Sequence, residues 1–132
     1  MPRIPFNSSL VGVNVVTAYL PSHSRPDDSQ YTFAYTVTIS NGSNLPVQLL
    51  SRHWIITDAD NEVQEVRGEG VVGKQPKIGP GETFTYTSGC PLPTSQGIMS
   101  GHYRMATDDG ETFEVKVPAF SLDIPGMRRI IN

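Results

Sequence analysis

QYTFAYTVTIS, residues 30–40, decides the class of fold. Tyr31, Phe33, Tyr35, Val37 and Ile39 fall on every second position, with Thr32, Thr36 and Thr38 between them. A period of two belongs to a pleated strand, whose successive side chains point to opposite faces. One face is apolar and the other hydroxylated, so the segment reads as a half-buried strand. Upstream, the polar, proline-bounded stretch Pro21 to Asp28 is a loop. It follows a first strand, Leu10 to Leu20, in which Val11, Val13 and Val15 alternate with Gly12 and Asn14. Downstream, Asn41 to Asn44 turns the chain into a third strand, Val47 to Thr57. Asp58-Ala59-Asp60-Asn61 then leads to a short charged strand of edge type, Glu62 to Arg67. Gly79-Pro80-Gly81 opens a fifth strand, Glu82 to Cys90, where Phe84 and Tyr86 alternate with threonines. After a loop from Pro91 to Gly97, Gly101 to Thr107 and Glu111 to Val117 pair across Asp108-Asp109-Gly110, a strong hairpin signal. Phe120 to Ile124 is a last extended piece.

Composition points the same way. Val, Ile and Thr number 12, 9 and 11, against 5 Ala and 7 Leu. Side chains branched at Cβ lose rotamer freedom in a helix and pack well on a sheet. Twelve Gly and 11 Pro leave no window for a long helix. Seven or eight short strands predict an all-β, two-sheet antiparallel sandwich, with a closed barrel as the structural rival. Trp54, the sole tryptophan, is expected at its centre. The third strand carries apolar residues on both faces: Leu50, Trp54 and Ile56 on one, Val47, Leu49 and Ile55 on the other. The second set either lies under the loop from Arg67 to Ile78 or offers a partner an apolar surface.

A chain of 132 residues is one domain by length. The expected limits are a tail at 1–9, the sandwich at 10–125 and a tail at 126–132. The formal net charge of −3 argues against bulk electrostatic binding of nucleic acid. No apolar stretch approaches the ~18 residues of a membrane span, and MPRIPFNSSL lacks a signal peptide's apolar helix. The cytoplasm is the expected compartment, without membrane insertion. One cysteine excludes an intrachain disulfide.

Few residues suggest chemistry. Gly68-Glu69-Gly70-Val71-Val72-Gly73 fits G-x-G-x-x-G, flanked by Arg67 and Lys74, and Gly68 to Lys74 also fits G-x-x-x-x-G-K. Such glycines let backbone amides approach an anion, which a following helix N-terminus then stabilises. Here Gln75, Pro76 and Pro80 leave no room for that helix. Arg67, Gly68, Gly70, Gly73 and Lys74 are therefore the candidate anion or pyrophosphate loop, set against the reading of a loop bent tightly between strands. His23, His53 and His102 are distant in sequence; His53 and His102 meet if their strands are neighbours, yet zinc wants at least three protein ligands. Cys90 has no histidine base near it in sequence and suits a buried thiol. Asp27-Asp28, Asp58-x-Asp60 and Asp108-Asp109 coincide with turns, where aspartate serves the backbone. No residue set assembles a catalytic, metal or cofactor site.

Several stretches together, FAYTVTI (33–39), VQLLSRHWIITDA (47–59), EVRGEGVVG (65–73) and GETFTYTSGCPL (81–92), closely resemble the bacterial ApaG family, from about Leu10 to Pro125. The resemblance implies a fibronectin type III-like sandwich of the immunoglobulin-like class. The same domain type in certain eukaryotic F-box proteins, and in a polymerase delta-interacting protein, implies a protein-interaction module. It further implies an association with cobalt resistance and magnesium efflux, and with the gene of a diadenosine tetraphosphate hydrolase. The family's proposed pyrophosphate motif would map to Gly68, Gly70 and Gly73. The expected function is non-enzymatic binding of an unidentified protein partner. The alternative is binding of pyrophosphate or a nucleoside polyphosphate through Gly68 to Lys74. The expected contact region runs from Val63 to Gly73, with Val63, Glu65, Arg67, Val71 and Val72 as its side chains. An open sheet edge there permits a homodimer without demanding one.

Overall fold

The structure, a computed structural model, describes residues 5–125. Eight strands occur in chain order: β1 (Val11–Tyr19), β2 (Tyr31–Asn41), β3 (Val47–Asp58), β4 (Val63–Glu69), β5 (Lys77–Ile78), β6 (Thr83–Leu92), β7 (Gln96–Thr107) and β8 (Thr112–Asp123). One sheet has the order β1-β2-β6. The other has the order β4-β3-β7-β8, with the short β5 added to β3 beyond the end of β4. Every pairing is antiparallel. This is the expected two-sheet sandwich. No helix among the described residues is long and apolar enough to cross a membrane.

The inner faces follow the alternation in the sequence. Phe33, Tyr35, Val37 and Ile39 of β2 are buried, while Thr36 and Thr38 point outward and bond to Thr87 and Thr85 of β6. Trp54 sits at the centre, with Tyr35, Tyr103 and Phe120 packed edge-on around it at 5.5, 5.8 and 5.9 Å between ring centroids. The buried hydroxyls of Tyr86 and Tyr103 bond across the two sheets at 2.5 Å. Buried Asn41 is fully used: its amide donates to the carbonyls of Leu45 and Ile78, and its oxygen accepts from the amide and hydroxyl of Ser43. It thereby ties the first turn to β5, as a buried polar group must be tied.

Four local expectations need correction. The third strand does not have two apolar faces. A bulge between Leu49 and Ser51 shifts its phase, so Val47 and Leu49 join Trp54 and Ile56 in the core. An extra residue of this kind turns all later side chains over. Ile55 is left on the outer face, 36% exposed. The stretch from Arg67 to Ile78 is not wholly loop either, since Ile78 and Val71 enter the core and β5 pairs with Val47 and Gln48. β7 starts at Gln96 rather than Gly101, and Phe120 belongs to β8 rather than to a separate piece. A second bulge, between Met99 and Gly101, lets these two strands continue as one ladder.

The expected tail at 126–132 and residues 1–4 lie outside the described residues. Within 5–9, Phe6 packs on Phe113 at 5.1 Å, so the fold starts before Leu10. β1 lies beside β8, closing one side of the sandwich. β4 and β6 form the edges of the other side.

Candidate functional site

The outer face of the larger sheet carries a cluster of charged and imidazole side chains that starts at the β4 edge. Cross-strand partners share a face, and the register sets Arg67 of β4 opposite His53 of β3. It sets His53 opposite His102 of β7, and His102 opposite Lys116 of β8. A row of four nitrogen-bearing side chains thus crosses the sheet. The two imidazoles, distant in sequence, meet edge-to-face at 5.0 Å between centroids.

Carboxylates flank this row. His53 Nε2 donates to Glu65 Oε1 at 2.8 Å, and Arg67 reaches the same oxygen at 3.5 Å. His102 Nε2 pairs with Glu114 Oε2 at 2.8 Å. A carboxylate can only accept, which assigns the proton to Nε2 in each pair. The hydrogen bond from His53 holds the exposed Glu65 carboxyl below its ordinary range, helped by the charge of Arg67. Arg104 and Lys116 have no ion pair among the described residues. An open cleft of about 950 Å³ lies here, bordered by Ser51, His53, Arg67, Gly68, His102 and Arg104.

The glycine motif forms the corner of the cleft. Gly68 is the last but one residue of β4, opposite Arg52. Arg52 lays its guanidinium over Gly68, where a Cβ would come within 2.9 Å of it. Its Nη1 donates to the carbonyls of Gly70 at 2.8 Å and Glu69 at 3.2 Å. Gly70 has φ +62° and donates to the Leu50 carbonyl at 2.8 Å. Val71 and Lys74 then exchange amide–carbonyl bonds at 2.8 and 2.9 Å around Val72 and Gly73. Both central residues have positive φ, 44° and 78°. That is the signature of a two-residue hairpin turn of type I′. The amides of Gly70, Val71 and Lys74 are thus already bonded to carbonyls, and the chain leaves Lys74 for β5 without a helix.

The expected contact residues divide. Val63 and Val72 are 61% and 53% exposed, and Glu65 and Arg67 are exposed beside them. Val71 is fully buried and leaves the surface set. Its apolar neighbour Val72 looks identical in sequence; only the turn geometry separates them. Glu114 and Arg104 were not among the expected residues, since nothing local in sequence links them to His53.

Other chemistry is thin among the described residues. No group of three or more His, Cys, Asp or Glu is placed to hold a metal ion. No hydroxyl or thiol bonds to the imidazole of His53 or His102. Burial pushes the Cys90 thiol up to about 11, far from a reactive thiolate. His23 bonds with its neighbour Ser22 in the loop before β2. Asp58 accepts the amides of Asp60 and Glu62, and Asp109 that of Glu111, as turn residues do.

Comparison with known proteins agrees with this architecture. Residues 21–107 match the family model of the ApaG domain. A protein ApaG of Methylobacterium sp. (strain 4-46) is 57% identical over 92% of this chain and 94% of its own length. One from Brucella abortus (strain S19) is 53% identical over the same shares. A crystal structure from Bordetella pertussis superposes with a TM-score of 0.87 at 51% identity, covering 96% of this chain and all of that one. With most of its length matched in sequence and in three dimensions, the chain belongs to the ApaG family.

Proposed function

We propose that this domain is a non-enzymatic, cytoplasmic binding module that docks a partner protein on the β4 edge and the corner beyond it. The observation that carries the reading is Val72. It is β-branched, 53% exposed and held at φ 44°, a backbone conformation that such residues almost never adopt. Asn-Gly would build the same turn without strain. Local strain of this kind concentrates where structure serves binding, and an apolar tip in water contributes nothing to the fold. β4 pairs only with β3 among the described strands. Its outer edge therefore presents unpaired backbone groups to an added strand. Val63, Glu65 and Arg67 would supply the side-chain contacts along it. The association with cobalt resistance and magnesium efflux that the resemblance implies would then be indirect, through a partner that acts on the cations.

Affinity capture from a lysate tests this, using the wild-type chain beside Glu65→Lys/Arg67→Glu and Val72→Asn. Retention of a discrete protein by wild type, and its loss from both variants with no fall in melting temperature, is the expected result. Equal retention by all three overturns the reading, as does no retention above background from several lysates. Pyrophosphate binding through Arg67, Gly68, Gly70, Gly73 and Lys74 is the second reading, favoured by the exposed Arg67 beside the turn. It has less support, because three of the loop's amides are bonded within the protein. Amide resonances of Gly68 to Lys74 that stay fixed in millimolar pyrophosphate would remove it.

A further inference from the structure

The open side of the sandwich holds a second recess, distinct from the sheet face and its corner. Between the edges β4 and β6 lies a cleft of about 260 Å³. Gln64 and Val66 of β4 form one wall, and Ser88 and Cys90 of β6 the other. Its polar side chains are biased towards donation. Arg52 can only donate; both of its hydrogen bonds use Nη1, which leaves Nε and Nη2 for another acceptor. Trp54 also lines the cleft, and its Nε1 is buried without a hydrogen-bond partner. Nε1 can only donate as well, and an orphaned buried donor is rare in folded proteins. Tyr35 and Ser88 add hydroxyls to the same lining. No aspartate or glutamate lines the recess, so the charge of Arg52 has no carboxylate beside it there. Ile56, Val66 and Met99 supply apolar contact next to these donors.

A recess with one cation, an unpaired indole N–H and an apolar wall suits an anion on a short aliphatic stem. The planar guanidinium fork matches the two oxygens of a carboxylate. A phosphate dianion would bring more charge and more oxygens than these donors satisfy. We propose that the β4–β6 cleft binds a carboxylate carried on a short apolar stem, paired to Arg52 and accepting from Trp54 Nε1. A glutamate side chain of a protein segment and a free aliphatic acid present the same chemistry.

The chain has one tryptophan, so its indole N–H gives one resonance that reports on this recess alone. The ¹⁵N-labelled full chain is titrated with sodium butyrate in one arm. In the other it meets a blocked pentapeptide with a single glutamate among alanines. The indole proton is expected to move downfield and saturate in at least one arm, and the stronger arm identifies the source. Butyramide and inorganic phosphate should bind at least about ten-fold more weakly, the loss expected when a charge-assisted hydrogen bond is removed. Arg52→Gln should weaken binding by a similar factor. Because Arg52 also braces the Gly70 corner, Val66→Phe provides a second variant: it fills the recess without altering charge and should abolish the shift. The proposal is overturned by an indole resonance that stays still in both arms to tens of millimolar. It is equally overturned by shifts that survive Val66→Phe, or that butyramide or phosphate reproduces at equal strength. None of these outcomes depends on a partner docking at the β4 edge.

Discussion

At the level of single residues, the G-x-G-x-x-G stretch shows how one motif can answer to three separate geometric demands. Gly68 makes room for the Arg52 guanidinium, Gly70 takes a left-handed backbone under the Lys74 carbonyl, and Gly73 completes the turn. These demands carry different costs. At Gly70 an added methyl meets both a positive φ and a backbone carbonyl that cannot move aside. Gly70→Ala should therefore destabilise the fold by about 2–4 kcal/mol. At Gly73 only the positive φ opposes it, with nothing near the added methyl, so Gly73→Ala should cost about 1 kcal/mol. Urea unfolding of the two variants checks the ranking; equal losses would mean the corner is not built as described. Val72→Asn works in the opposite sense. Asparagine tolerates the left-handed region, so this variant should stabilise the fold by about 1 kcal/mol in the same assay. It would do so while weakening any partner that uses the valine, which separates a binding role from a folding one.

At the level of elements, the bulge at Leu50 decides which β3 residues are core. Leu49 is fully buried and Ile55 is 36% exposed, although alternation read straight along the strand puts them on the same face. Leu49→Ala should cost about 2–5 kcal/mol as a cavity-forming core truncation. Ile55→Ser should stay within about 0.5 kcal/mol. Thermal or urea unfolding distinguishes this from an unbulged strand, in which the two sites would respond alike. The same example marks how far the sequence could be read. β1, β2, β6 and the hairpin at Asp108 were legible, because side chains of period two and glycine-bearing turns are local signals. The bulges were not: an extra residue leaves no signature beyond a change of phase, and here that change resembled a strand with two apolar faces. β5 was hidden because Pro76, Gly79 and Pro80 surround two residues held by tertiary pairing alone. For the site, the β4 edge and the glycine corner could be located from charge and spacing. The meeting of His53 with His102 needed the strand order, which alternation does not contain, and Glu114 needed the register as well. The donor-lined recess beneath Trp54 arises from two sheet edges that are distant in sequence, and no local pattern announces it.

For the molecule as a whole, the two sheets are joined through weakly acidic groups that must stay neutral. Burial pushes the Tyr86 hydroxyl up to about 12, even though its bond with Tyr103 favours the charged form. Burial raises Tyr103 further, with added repulsion from Tyr86, and raises Tyr35 as well. The Cys90 thiol is pushed to about 11 for the same reason. In every case the folded state holds its proton more tightly than the unfolded chain does. Their contribution is therefore complete below the unfolded values of 9.0 for the thiol and 10.0 for the tyrosines. As pH rises beyond them, the unfolded chain loses protons first and stability falls, by up to about 1.4 kcal/mol per pH unit for each group. The loss should begin near pH 9 with Cys90 and steepen above pH 10 as the tyrosines join. For Cys90 it ends near 11 and for Tyr86 near 12, where the folded forms also ionise. Urea midpoints measured from pH 7 to 11.5 should stay level apart from that final decline. Cys90→Ala should delay the onset by about one pH unit, since the remaining groups have an unfolded value of 10.0. Tyr86→Phe should make the later decline shallower while lowering the plateau, because it leaves the Tyr103 hydroxyl without its partner. A midpoint that stays flat to pH 11.5 would mean that water reaches these hydroxyls, and that the two sheets do not close over a dry centre.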